Sequence, residues 1–207
     1  MANAARFLLC ENITPTDVDK ELRRPLDEDA TAYQRDIWLL KRGLSIQNYM
    51  NPDSLIIEKY LSGNVSYDEC LSLFADKEYN GDIDKARADY GAPDYLDFVA
   101  RLQRDYPEHT QLKGVVGERY KEEMRIADDA DVETALHAGS IVIAMMKLKG
   151  SLLHQVAIFP GESEGTETVW LYDPREDKGY VYDLDMDYSS VISCGLFNRD
   201  EVCMVSR

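Results

Sequence analysis

The sequence carries no C-x-x-C pair, no glycine-rich phosphate loop, no metal-spaced histidine pair and no G-x-S-x-G. The usual signatures of a zinc site, a nucleotide cradle and a serine-hydrolase elbow are therefore missing, and neither a cofactor nor a metal is expected. No apolar run is long enough to cross a membrane and no signal peptide stands at Met1, so export by the usual route is not indicated and a cytoplasmic location is expected. Positive charge is scarce. Lys and Arg number 23 against 39 Asp and Glu, a net charge of −16 with a sequence pI near 4.5. That balance disfavours nucleic-acid phosphate and anionic membrane as partners, whereas a basic peptide or protein would be attracted. Cys10, Cys70, Cys194 and Cys203 sit singly in apolar stretches. They read as buried thiols in a reducing compartment.

What is present suits one folded domain with a substantial core: 207 residues, 44% hydrophobic and 10% aromatic. The most informative stretch runs from Asp131 to Pro174. Val132, Ala135 and Leu136 form a helical stripe, with Asp129 or Asp131 placed to cap its start and Gly139 just past its end. Residues 141–148 and 152–159 read as two strands in hairpin relation around Gly150-Ser151. Residues 168–172 read as a third strand, closed by Asp173-Pro174. His154 stands early in the second strand and Asp173 at the end of the third. If those strands are neighbours, a histidine and an orienting carboxylate meet at one end of the sheet. A lone strand histidine is more commonly structural, and Asp-Pro is an ordinary turn.

Elsewhere the pattern is mainly helical. Helices are expected over residues 2–10, from the Thr14-Pro15 start to about Arg24, and over 29–42, with a short strand over 44–49. Residues 51–128 read as helices without obvious chemistry. Ser66 and Glu69 have capping-box spacing, and Tyr95, Phe98, Val99 and Leu102 form an amphipathic stripe. The stretch 118–125 reads as an exposed helix, and His109, after Pro107, as a loop residue without function. His137 reads as a surface or cap residue. The tyrosines of this region could line a groove, but packing with hydroxyls reaching water is the more ordinary role. After Asp173-Pro174 a strand over 180–183, a helix over 187–194 and a closing strand over 201–206 are expected. Asp183, Asp185 and Asp187 begin like a calcium loop, but Tyr188 and Cys194 stand where its glycine and glutamate belong, leaving a solvated acidic turn.

The helix–strand run around Leu136–Ile143, the strand opening with His154 and the "VWLYDP" ending at Pro174 resemble the C-terminal half of papain-like cysteine peptidases of the bacteriocin-processing, double-glycine-leader type. Ala4-Ala5, Leu8, "ELRR" at Glu21–Arg24 and "RGLSIQNY" at Arg42–Tyr49 resemble the opening of the same group. The resemblance implies an α+β papain-like fold. An N-terminal helical half (residues 1–49) and a helical insertion (50–128) would pack on a C-terminal antiparallel sheet (129–207). It implies a hydrolase or acyl-transfer protein acting on peptide or amide bonds, with His154 as general base and Asp173 orienting it. The group's nucleophilic cysteine, in a C-G-x-A-A pattern, aligns with Met1, whose thioether cannot form a thiolate. The oxyanion-hole glutamine has no counterpart. Three readings stay open: a degenerate relative, a nucleophile lying ahead of Met1, or Cys10, about 13 Å further along the helix. On the same fold the alternative is a non-catalytic peptide- or protein-binding module.

Overall fold

The computed structural model of the chain describes residues 1–23, 30–51, 54–147, 153–160, 169–172, 181–184 and 197–207. The chain opens with three short helices, α1 (Ala2–Leu9), α2 (Pro15–Leu22) and α3 (Ala32–Lys41), and then β1 (Ser45–Met50). Four helices follow: α4 (Ser54–Leu61), α5 (Tyr67–Glu78), α6 (Ile83–Tyr90) and the long α7 (Pro93–Val116). A 3-10 turn at Gly117–Arg119 leads into β2 (Tyr120–Glu123), and α8 (Asp129–His137) precedes β3 (Ile141–Lys147). The remaining strands are β4 (Leu153–Pro160), β5 (Val169–Tyr172), β6 (Val181–Leu184) and β7 (Phe197–Ser206).

Local chemistry fixes most helix starts. Thr14, Thr31, Ser66 and Asp128 each close a reciprocal capping box with Asp17, Gln34, Glu69 and Asp131, satisfying amides that the first turn leaves over. Gly43 and Gly139 follow α3 and α8 in the left-handed region, at φ 83° and 78°, where a side chain would be strained.

The described strands form one sheet in the order β2-β1-β7-β3-β4-β5-β6. Neighbours are antiparallel except β2, which runs parallel to β1. Strand alternation sorts the core onto two faces. Ile46, Ile141, Ile143, Phe159, Cys203 and Val205 join one cluster with Ala4, Ala5 and Leu8 of α1 and Trp38, Leu39 and Leu40 of α3. The alternate residues Val142, Ala144, Ile158, Val202 and Met204 are also buried, and α8 packs against β3 and β4. A second core lies among α4–α7, where Ile56, Ile57, Cys70, Phe74, Ala86, Val99 and Leu102 close around Tyr33 of α3.

The expected α+β class is thus observed, with three differences from the sequence reading. The sheet is not confined to the C-terminal third: β1 and β2 belong to it, and β2 makes it mixed. Residues 120–123 are that edge strand rather than part of an exposed helix, because parallel pairing with Ile46–Tyr49 and the Tyr120 ring against His109 outweigh their helix-favouring charges. α7 also continues through Pro107 to Val116, so His109 is helical and buried rather than in a loop. The expected turn at Gly150-Ser151, the helix over 187–194 and the acidic turn at Asp185–Asp187 lie outside the described residues.

Candidate functional site

The elements that the His154–Asp173 reading needs are α1, β4 and β5. α1 turns a face of small residues towards the sheet: Ala4 and Ala5 are buried there, with Leu8 beside them. Near its C-terminal end the Phe7 ring meets Phe159 of β4 edge to face, with centroids 5.4 Å apart and planes at 66°. At the other end the α-amino group of Met1 acts electrostatically on the Cys203 thiol. Cys203 pairs across the sheet with Ile143, and Ile143 with Ala157 of β4. From Phe7 to Met1, α1 therefore passes across the sheet from β4 towards β7. The first intrahelical bond of α1 runs from the Ala5 amide to the Met1 carbonyl at 3.1 Å, and no side chain caps the helix. Amides ahead of Ala5 have no carbonyl within the helix, so this end carries the positive end of the dipole.

β4 and β5 are antiparallel neighbours, as the sequence reading requires, with Ala157 opposite Tyr172. His154 occupies the position of β4 opposite Met146 of β3. Asp173, one residue beyond the last described residue of β5, lies outside the described residues, as does Cys194.

The thiols depart from the sequence reading. Cys10 is exposed, not buried. It ends α1 in the left-handed conformation, φ 56°, which turns it out of the apolar face that Leu8 supplies. It stands at the end of the helix away from Met1. Cys70 and Cys203 are buried as expected, and burial pushes the Cys203 thiol up to about 12, against the pull of Arg35. His137 is on the surface near the end of α8, its Nδ1 2.9 Å from the Glu133 carbonyl oxygen. Tyr60, Tyr67, Tyr79, Tyr90, Tyr95 and Tyr106 pack around the second core, among the helices and not beside β4.

A second group of polar residues escaped the sequence reading. Arg35, Asp36, Asn48 and His109 are buried together beneath α3, with Asp36 and His109 each 1% exposed. Arg35 Nε donates to Asp36 Oδ1 at 2.8 Å, and its other nitrogens reach Glu201 at 3.2 Å and Asn48 Oδ1 at 3.4 Å. Asn48 Nδ2 donates to Asp36 Oδ2 at 2.7 Å and to the Tyr120 hydroxyl at 3.1 Å. His109 Nε2 lies 3.5 Å from Asp36 Oδ2, an electrostatic contact without good hydrogen-bond alignment. Burial opposes the Asp36 charge, but Arg35 and then His109 outweigh it and hold the carboxyl below its ordinary range. The group joins α3, β1, β7, α7 and β2, which makes it a buried polar tie between layers. A signal existed in the sequence: the stripe Val99, Leu102, Tyr106, His109, Lys113 keeps helical spacing straight through Pro107.

Among the described residues no group of three or more His, Cys, Asp or Glu is placed to hold a metal ion, and no helix is long and apolar enough to cross a membrane. Comparison with known proteins adds no relative: no family model, no curated protein and no solved structure matches the chain.

Proposed function

We propose that the chain is a papain-like, peptidase-type domain for peptide or amide acyl groups, with His154 as general base and Asp173 as the carboxylate that orients it. One observation supports the reading: β4, which carries His154, and β5, the strand just ahead of Asp173 in the sequence, are antiparallel neighbours on the sheet that α1 covers. In such a cleft the imidazole takes the proton of a thiol at the helix N-terminus, and the thiolate attacks a carbonyl carbon. The helix amides favour the oxyanion, and the imidazolium returns the proton to the leaving amine. Buried thiols at Cys70 and Cys203 accord with a reducing, cytoplasmic setting.

A second reading, a peptide- or protein-binding module on the same cleft, is favoured by the thiols. Cys10 stands at the far end of α1 and Cys203 is fully buried. The two readings separate in one experiment. The chain as it stands and a Met1→Cys variant behind a short N-terminal extension are assayed on fluorogenic peptide amides and thioesters. The peptidase-type cleft gives turnover in Met1→Cys that His154→Ala and Asp173→Ala abolish. Saturable peptide binding without turnover in either protein favours the binding module. Turnover indifferent to His154→Ala contradicts the assigned base.

A further inference from the structure

The corner between α5 and α6 is built by two residues in the left-handed region. Asn80 stands at φ 52° and Gly81 at φ 85°, directly after Tyr79, the residue that closes α5. Consecutive positive φ values suit Asn-Gly, because asparagine tolerates that region and glycine has no Cβ to clash. Two backbone bonds hold the corner shut. The Gly81 amide donates to the Ala75 carbonyl at 2.8 Å, satisfying the end of α5, and the Asp82 amide donates to the Tyr79 carbonyl at 3.0 Å. Asp82 then caps α6 through the Lys85 amide at 3.1 Å. Asn80 and Gly81 are both exposed. A side chain on Gly81 would meet Asp76 Oδ1 at 4.0 Å, an ordinary contact, so glycine is there for its conformation rather than for lack of space.

The pair that suits this turn is also chemically insecure. An asparagine side-chain amide lies within reach of the next backbone nitrogen, and before glycine no side chain obstructs the approach. We propose that Asn80-Gly81 is a self-modification site: it converts through a cyclic imide at a rate set by opening of the α5–α6 corner, and its β-linked product cannot rebuild that corner. The conversion needs only water. Gly81 N bonds to Asn80 Cγ, the Cγ–Nδ2 bond breaks, and ammonia leaves with the Gly81 amide proton. Water then opens the imide. Cleavage at Cγ gives aspartate on an ordinary backbone, whereas cleavage at the main-chain carbonyl routes the backbone through the former side chain and lengthens it by a methylene.

The closed corner restrains the first step. The hydrogen that must leave Gly81 N is held by the Ala75 carbonyl, and the Asp76 carboxylate nearby opposes negative charge on that nitrogen. Opening of a helix junction is a local event and does not require the whole chain to unfold. Once lengthened, the backbone no longer presents both amides to the Ala75 and Tyr79 carbonyls, and the loosening runs one way. α5 and α6 stay in contact through Phe74 stacked on Tyr90 at 4.0 Å and through the Tyr79–Asp89 and Tyr90–Glu78 hydrogen bonds at 2.7 and 2.6 Å. The change is therefore confined to the corner and the start of α6.

The test ages the full chain in mildly alkaline buffer, folded and in concentrated urea. Mass spectrometry follows the peptide that carries Asn80, and enzymatic methylation of the β-linked carboxylate reads that product. Asn80 is expected to convert in both states, about tenfold or more slowly in the folded chain, while Asn80→Gln stays unconverted over the same time. Equal rates in the two states, or an unconverted Asn80 in urea, overturn the proposal. Hydrogen exchange separates the backbone change from the added charge. The end of α5 and the start of α6 lose protection in the aged β-linked chain and keep it in Asn80→Asp, which carries the same charge on an ordinary backbone. No loss in the aged chain, or an equal loss in Asn80→Asp, overturns the one-way loosening.

Discussion

Phe7 and Phe159 meet edge to face across the boundary between the first helix and the sheet, 5.4 Å between ring centroids. Phe159 is buried and Phe7 is 40% exposed, so the contact fixes where α1 sits more than it adds to the core. Phe159→Ala is expected to cost about 3–5 kcal/mol and Phe7→Ala clearly less, with a coupling of about 1 kcal/mol in the double-mutant cycle. Urea midpoints at constant slope measure all three. A coupling of zero would mean that the rings do not hold the helix in place.

The buried Arg35–Asp36 pair ties α3 to the sheet. Asp36→Ala leaves Arg35 buried with Glu201 and Asn48 as its remaining partners, and a loss of about 3–5 kcal/mol is expected. The Asp36 carboxyl is held below its ordinary range, so its contribution is present above the ordinary value of 3.8 and is lost as pH falls through the lower folded value. Between pH 7 and 4 the penalty of the substitution stays level, and on further acidification it shrinks. Stability curves at several pH values check both parts.

Asp131 shows the same sign at the surface of α8. It accepts two hydrogen bonds from Arg125, at 2.6 and 2.8 Å, and one from Tyr49 at 3.2 Å. Arg125 chiefly brings its carboxyl down from 3.8 to about 2. Arg125→Ala is expected to return the Asp131 titration, followed by carboxyl NMR, towards 3.8. The stabilisation lost between about pH 4 and 2 in the natural chain then disappears from that window. Water screens the partly exposed pair, so the gain at neutral pH is small.

Thiol exposure gives a quick check on the fold. Iodoacetamide at neutral pH is expected to modify Cys10 in the native protein, while Cys70 and Cys203 react only on unfolding. Cys10→Ser should leave every His154-dependent property unchanged. Native labelling of Cys203 would contradict its burial on β7.

Helices with side-chain caps were legible in the sequence because their signals are local: Thr14-Pro15 and Ser66…Glu69 announce α2 and α5 by themselves. β3, β4 and β5 were legible as apolar runs, and their antiparallel order follows from the sheet observed. β2 was not, since Tyr120–Glu123 becomes a strand only by pairing with β1, more than 70 residues earlier. The Asp36–His109 contact joins positions just as distant, and Pro107 masked it, because a proline is read as ending a helix that tertiary packing carries through. The exposure of Cys10 depends on a single left-handed residue after Leu9, which composition does not reveal.

The proposed cleft requires the N-terminal end of α1 to lie beside His154, and the most direct measurement is the pKa of a thiol placed at that end. In Met1→Cys behind a short N-terminal extension, the pH dependence of iodoacetamide alkylation reads that value, with Cys10 replaced by Ser to clear the background. Convergence of the helix end with His154 and Asp173 predicts a pKa of about 7.5 or lower, rising towards the ordinary value of about 8.5 in His154→Ala. A thiol with the ordinary value, unmoved by His154→Ala, would contradict the claim.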